Sequence, residues 1–338
     1  MSDARPPRRA NSFDVAERAG VSQSTVSRAL AGSPAITEVT RNRVLEAARA
    51  LDYHVDERAA RLRRGTSGVV ALVVIRRPGD DPIEGVNSFS YRLIAAVCAA
   101  AAARGYETLV SLQDEAERFD ASYVATGQAD AMVVIGTTSN REAWAFFERS
   151  APDRVAFWGA PFAHEGRIVS DNFEGGRLAG AHLVACGCSR VALIGDADDA
   201  QRQFAARIAG CEAVLQREGL AAVAHVTGEG ANREAQGRAA IAELLELGSS
   251  FDGIFAACDE LALGALQECA ARGLSVPGDV QVVGFDGSVM GAYSQPSLTT
   301  IKPDLMQAGQ RLVDTALSSN KNEAHPVPVT LIKRASTI

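Results

Sequence analysis

Nothing in this 338-residue chain is apolar for long enough to cross a bilayer: its longest apolar run, Leu93 to Ala103, is far short of the roughly 20 residues a span requires. A membrane partner is therefore not expected. The opening residues, MSDARPPRRANS, carry proline and arginine but no apolar core of a signal peptide, so a disordered tip over residues 1–10 and a cytoplasmic location are expected. The six cysteines (Cys98, Cys186, Cys188, Cys211, Cys258 and Cys269) have no zinc-ligand spacing, since the Cys186-x-Cys188 pair lacks a second pair to complete a site. The five histidines are isolated as well, so neither a metal nor a cofactor is expected. Walker, Gly-x-Ser-x-Gly and His-Glu-x-x-His patterns are missing, which argues against an enzyme. The stretch VPVTLIKRASTI at the end of the sequence holds no heptad repeat and gives no reason to expect a tetramer.

Positive charge is in the minority but is not spread evenly. Residues 1–66 hold 12 basic against 8 acidic side chains and the remainder 22 against 33, so a net charge of −7 divides into about +4 and −11. Within the basic part, DVAERAGVSQSTVSRALAG reads as two short helices. Asp14 to Ala19 forms the first, Gly20 supplies a positive φ, Ser22 caps the second, which runs to Leu30, and Gly32 ends it. Val15, Ala16, Ala19, Val21, Val26 and Leu30 fall where two such helices pack across a turn, leaving Gln23, Ser24, Thr25, Ser27 and Arg28 outward. This face is either an ordinary solvated one or suited to DNA. In the second case Gln23, Ser24 and Arg28 read base edges in the major groove, while Ser22, Thr25, Ser27, Thr37 and Thr40 hold phosphates.

A third helix, capped by Thr37 and running to Leu51, brings Val44, Ala48 and Leu51 to the same small core. It is followed by DERAARLRR, Asp56 to Arg64, in which Leu62 is the only large apolar side chain: a poor core but a suitable wedge for a minor groove. From Val69 onward apolar strand-like runs (VVALVVI, YETLVSL, AMVVIG, VAFW, RVALIG, AAVAHV, GIFAAC, VQVVGF) alternate with helical stretches such as Tyr91–Arg104, Phe173–Ala185, Gln203–Glu218 and Glu260–Arg272. That alternation predicts an α/β body of parallel sheets covered by helices on both faces, with length enough for two lobes.

The order of parts resembles the LacI/GalR family of bacterial transcription regulators. The residues that carry the resemblance are DVAERAGVSQSTVSRAL, TRNRVLEAARALDY and RAARLRRG, followed by EGGRLAGAHL, RIAG, DELALGAL, VVGFD and LTTIKPD, in that order over nearly the whole chain. The resemblance implies a helix-turn-helix head over 11–54, a hinge segment over 55–66, and a type I periplasmic-binding-protein-like body of two doubly wound parallel-sheet lobes over 67–338, which binds an effector and dimerises. The chain is then expected to cross between lobes near 159–163, near 289–294 and close to the C-terminus. The implied function is a repressor that binds a pseudo-palindromic double-stranded DNA operator as a homodimer, Ala59 and Leu62 of each hinge entering the minor groove. A small molecule, a carbohydrate or alternatively a purine or nucleoside, sits in the interlobe cleft and changes that affinity.

Ligands of open parallel sheets bind beyond the carboxyl ends of the strands. The polar or aromatic residues just past the strand ends are Trp158, Asp171 with Asn172, Gln201 and Gln203, Cys258 with Asp259, and Asp286. Arg207 and Asp286 match family positions that hold the effector, although the residues alone also allow a structural ion pair. Trp158 is either a stacking face or lobe core, Asp259 is expected to cap the helix that begins at Glu260, and the alanine-rich Leu93–Ala103 stretch is either a dimer element or internal packing. EGGRLAG falls at a helix start, where its glycines permit close packing.

The chain also departs from the family pattern. After the first strand it runs RRPGDDPIEGVNSFSYRL, longer than usual, with Asn87 and Phe89 standing for the family's Asn and an aromatic. Cys258 replaces a common Asn or Ser and Pro303 a common Gln, which removes hydrogen-bonding capacity and favours an effector less polar than a simple hexose, or one differently placed. Tyr53-His54-Val55-Asp56 stands where the family has Tyr-x-Pro-Asn; Asp56 is placed to cap a hinge helix.

Overall fold

The computed structural model describes residues 10–54, 65–76, 87–113, 119–138, 140–160, 168–196, 202–318 and 326–338. The chain separates into two compact units, residues 1–67 and 68–338.

The first unit holds α1 (Ser12–Ala19), α2 (Gln23–Leu30) and α3 (Glu38–Ala50). Helix α1 begins two residues earlier than its pattern suggests, because Asn11 caps it and Asp14 returns a bond to the Asn11 backbone in a capping box. Gly20, at φ +62°, turns the chain into α2. Val15, Ala16, Ala19, Val26, Ala29, Val44, Ala47 and Ala48 form one buried core, with Val21, Leu30, Leu51 and Tyr53 packed around it.

The second unit contains two sheets. The strands of the first are β1 (Val69–Ile75), β2 (Glu107–Gln113), β3 (Ala131–Ile135) and β4 (Val155–Phe157), in the order β2-β1-β3-β4 and all parallel. The second sheet orders its strands β10-β9-β8-β7-β5-β6, from β5 (Val191–Ile194), β6 (Ala224–Val226), β7 (Gly253–Ala256), β8 (Gln281–Phe285), β9 (Thr299–Pro303) and β10 (Val329–Ile332). Among the described strands only β10 runs antiparallel to its neighbour. Helices on both faces explain why the inner strands are apolar without alternation. Val70, Leu72 and Val74 of β1 enter one core, with α4 (Ser88–Ala103) and α12 (Leu305–Leu317), while Ala71, Val73 and Ile75 enter another, with α6 (Arg141–Ser150). In sheet two, α7 (Asn172–Ala185) and α8 (Arg202–Arg217) cover one face, α9 (Arg233–Glu246) and α10 (Asp259–Ala271) the other. Two short helices, α5 (Ser122–Ala125) and α11 (Val289–Tyr293), lie in connections. The alanine-rich stretch is internal packing, since Leu93, Ala96, Val97, Ala100 and Ala101 are buried in the core that α12 shares.

The chain crosses between lobes later than the sequence suggests. Ile168 still belongs to the core of lobe one and pairs with Trp158, so the first crossing lies between it and Asp171, the cap of α7. The second falls after Pro303 instead of near 289–294, because β9 first completes a parallel pairing with β8. The third joins Val327 in the lobe-one core to β10. Hydrogen bonds tie the three crossings together: Asp171 N–H donates to the Val327 carbonyl (2.9 Å), Val327 N–H to that of Val169 (2.7 Å) and Asp304 N–H to that of Pro328 (3.0 Å). Among the described residues no helix is long and apolar enough to cross a membrane.

Candidate functional site

Two groups of side chains combine exposure or convergence with the right chemistry, one in each unit. In the head, Ser22 caps α2 by accepting from the Thr25 N–H at 3.2 Å, and its hydroxyl lies 2.9 Å from both the Ser24 and Thr25 hydroxyls. Thr37 caps α3 in the same way, its hydroxyl donating to that of Thr40 at 3.0 Å. Ser24, Ser27 and Arg28 are exposed at i, i+3 and i+4, so they share one face of α2. Gln23 is half-buried and donates to the Ser12 hydroxyl at 3.3 Å, which ties the start of α2 to that of α1. Arg41 fixes the following loop, donating to the carbonyls of Gly32 (3.4 Å) and Ser33 (2.9 Å). Ala59, Leu62 and Asp56 lie outside the described residues.

In the body, the convergence is at the carboxyl ends of β5, β7 and β8. Gly176 makes it possible: a Cβ there would strike the backbone carbonyl of Arg207, and one at Gly210 would strike that of Phe173, so α7 and α8 touch along their backbones only because both positions lack side chains. Arg207, thus seated, is 5% exposed. Its Nε donates to Asn172 Oδ1 at 2.9 Å and Nη1 to the Ala257 carbonyl at 2.6 Å, while Nη1 stands 3.4 Å from Asp286 Oδ1. The guanidinium lies 3.6 Å from the centroid of the Phe285 ring, within cation–π range.

Asp286 holds φ +117°, a conformation uncommon for a residue with a side chain and a mark of a turn fixed by its surroundings. Burial raises its pKa to about 7; Arg207 opposes that rise, and Asp259 and Glu260 add to it. Burial likewise raises the thiol of Cys258, with Asp286 next in effect, so this cysteine is an uncharged thiol. Cys258, not Asp259, occupies the cap position of α10, and it makes no side-chain cap bond. Asp259 turns inward instead. Its carboxylate accepts from Ser288 N–H and the Thr300 hydroxyl, each at 2.6 Å, because those donors are buried and need an acceptor there.

The remaining positions surround this centre unevenly. Gln203 is half-buried on the first turn of α8, one turn before Arg207. Asp171 caps α7, accepting from Glu174 N–H at 3.1 Å, beside the Asn172 that orients Arg207. Phe89 and Trp158 pair with ring centroids 5.7 Å apart and both pack on the lobe-one core, so each has a lobe-core contact as well as a face. Gln201 lies outside the described residues. Arg92 carries no local signal in the sequence, since its partners Asp286 and Gly287 are 194 and 195 positions away; Asn172, Phe285 and Glu260 have one, each standing next to a residue picked out at a strand end.

A small three-helix unit with hydroxyl-capped helices and an exposed arginine, in one chain with a bilobal α/β body whose polar groups converge at strand ends, defines a DNA-binding regulator with an effector-binding domain. Residues 13–56 match the model for bacterial regulatory proteins of the lacI family, and residues 181–337 that for a periplasmic binding protein-like domain. The ribose operon repressor of Halalkalibacterium halodurans is 30% identical, over 96% of each chain. The transcriptional repressor PurR of Vibrio atlanticus is 26% identical over 92% of each. A solved structure of the lac repressor dimer bound to operator and the anti-inducer ONPF superposes with a TM-score of 0.80 at 25% identity, covering 97% of this chain and 99% of that one. The chain belongs to the lacI family of bacterial transcription regulators.

Proposed function

We propose that this protein is a cytoplasmic, non-enzymatic repressor that binds a pseudo-palindromic operator as a homodimer and responds to a small molecule in its interlobe cleft. Gln23, Ser24 and Arg28 read bases, and Ser22, Thr25, Ser27, Thr37 and Thr40 contact phosphates; the hinge residues Ala59 and Leu62 enter the minor groove. Dimerisation is supported by apolar side chains that the body leaves exposed, Val110 and Leu112 on the edge strand β2 and Val289, Met290 and Tyr293 on α11.

The observation that carries the effector reading is the buried Arg207–Asp286 pair at the ends of β7 and β8, a planar donor over the Phe285 ring that faces an acceptor. Hydroxyl pairs of a carbohydrate fit such a pair; Asp171, Gln201, Gln203 and Cys258 are assigned further contacts to it, and Phe89 and Trp158 its stacking faces. The similarity to a ribose operon repressor agrees with that choice. A purine or nucleoside is the second reading, favoured by the Phe89–Trp158 ring pair and by the similarity to PurR.

Selection of binding sites from a random duplex pool at fixed salt tests the DNA half; salt is held because phosphate contacts alone mimic affinity. Enrichment of a twofold-related site is expected, and recovery of salt-sensitive, sequence-independent binding alone counts against it. Calorimetric titration with pentoses, hexoses, purines and nucleosides tests the other half. Binding that survives Arg207→Ala and Asp286→Asn unchanged refutes the assigned cleft.

A further inference from the structure

Helix α4 belongs to lobe one, yet Arg92 on its second turn reaches into lobe two. Nη1 of Arg92 donates to the carbonyl oxygens of Asp286 and Gly287, each at 2.9 Å. One turn earlier Ser88 lies against the first turn of α10, its backbone N–H and hydroxyl 3.4 and 3.3 Å from Glu260 Oε1. The two lobes are thus bonded directly beside the Arg207–Asp286 pair, apart from the three crossing segments.

The turn that receives Arg92 is fastened to lobe two at every residue. Asp286 N–H donates to the Ile301 carbonyl at 2.7 Å and Gly287 N–H to the Thr300 hydroxyl at 3.2 Å. Ser288 N–H donates to the buried Asp259 carboxylate, which also accepts from Thr300. With φ at +117° and +66°, residues 286 and 287 aim successive carbonyls at one guanidinium nitrogen, an arrangement in which a charged donor is bound more strongly than a neutral one. A contact to so rigid a turn transmits displacement instead of absorbing it. Asp286 therefore meets two arginines at its two ends: its carboxylate faces Arg207 from within lobe two, and its carbonyl is held by Arg92 from lobe one.

The geometry points to Arg92 as a positioning residue that couples the state of the Asp286 carboxylate to the arrangement of the lobes, and through it to operator affinity. A ligand group that draws Asp286 away from Arg207 must move a peptide that lobe one holds. The inference rests on reading the Arg207–Asp286 cleft as the effector site, and it adds a route by which occupancy reaches the other lobe.

A double-mutant cycle on the full chain tests it without any ligand, using the selected operator duplex as probe. Asp286→Asn removes the carboxylate charge. It is expected to change operator affinity at least fivefold, in the range typical of coupling between sites, in the wild-type background and less than twofold in the Arg92→Gln background. Arg92→Lys, whose ammonium retains the charge but not the fork, is expected to restore part of the response. Amide exchange on the unliganded Arg92→Gln variant is expected to quicken about tenfold or more at both ends of the bond, the first turns of α4 and residues 286–288, and not in the strands. Additive effects in the cycle, less than twofold change on Asp286→Asn in wild type, or faster exchange confined to α4 would each overturn the inference. Should Arg92→Gln fail to fold, the same cycle run with Arg92→Met, which has no donor at all, decides, additivity again overturning it. Failure of the effector reading has a separate signature: D-ribose, D-galactose and adenosine, together with the rest of the titration panel, bind nowhere while the cycle stays non-additive, which still supports the Arg92 coupling.

Discussion

Replacing Asp286 by Asn should remove a large pH dependence of stability whose sign is fixed by the burial of the acid. An unfolded aspartate releases its proton near 3.8, and the folded one near 7. The native state therefore holds a proton that the unfolded state has lost, so this group's contribution is fully present below about pH 4 and disappears as pH rises through 7. That separation corresponds to about 4 kcal/mol in full, of which roughly 2 to 3 kcal/mol falls between pH 5 and pH 8. The variant has no such proton. Urea denaturation of both proteins, followed by circular dichroism across that interval, gives the difference between their unfolding free energies, in which the other titrating groups cancel. The difference, wild type minus variant, should fall by roughly 2 to 3 kcal/mol from pH 5 to pH 8. A flat difference would mean that the proton is not held, the attraction of Arg207 outweighing burial so that the carboxylate is charged throughout the interval. Near neutral pH the group is divided between an acceptor-only carboxylate and an acid that can donate, so ligand preference in the cleft should change over the same interval.

Three further outcomes rest on named contacts. Gly176→Ala pushes α8 off α7 at the backbone of Arg207; a loss of about 1–3 kcal/mol of stability and weaker effector binding are expected, measured by thermal denaturation and calorimetry, and unchanged values would refute the close approach. Ser22→Ala removes the bond to Thr25 N–H and should lower the stability of the head by about 1 kcal/mol while weakening binding to specific and random duplexes alike, as read by denaturation and by fluorescence anisotropy. Arg28→Ala should cost about 1–3 kcal/mol on the selected operator and relax preference at one base pair, so a selection that returns the wild-type site with the same information content removes Arg28 from base reading.

Much of the fold is legible in the sequence because local pattern and tertiary structure agree. The uninterrupted apolar runs at Val69–Ile75 and Ala131–Ile135 are strands buried on both faces, and Gly176 and Gly180 of EGGRLAG mark where α7 and α8 touch. Other elements give no such signal. Strand β9, TTIKP, has no strand-like apolar run; its buried Thr299 is satisfied by Arg334, Ser336 and Thr337, residues at least 35 positions away, so pairing with β8 and the return of the tail make it a strand. The lobe crossings are hidden for the same reason. GSVMGAYSQP reads as a lobe crossing, but it holds the short helix α11 and connects two strands of a single sheet; the neighbour of a strand is decided by pairing, not by the connection that precedes it.

The candidate site shows the same division more sharply. Asp259, standing before the periodic apolar residues of ELALGAL, has the local form of a helix cap, and nothing nearby contradicts that reading. Its carboxylate is claimed instead by Ser288 and Thr300, 29 and 41 positions later, whose buried donors would otherwise be left unpaired. Arg92 is the converse case: at the start of an alanine-rich apolar helix it has the local form of a solvated charge, and its partners are 194 and 195 positions away. A position is therefore legible when the interaction that fixes it lies within its own element. Effector sites in a two-lobed body are assembled from element ends and from both lobes, so the residues that join ligand to lobe arrangement are the ones a local pattern assigns to capping or to solvent.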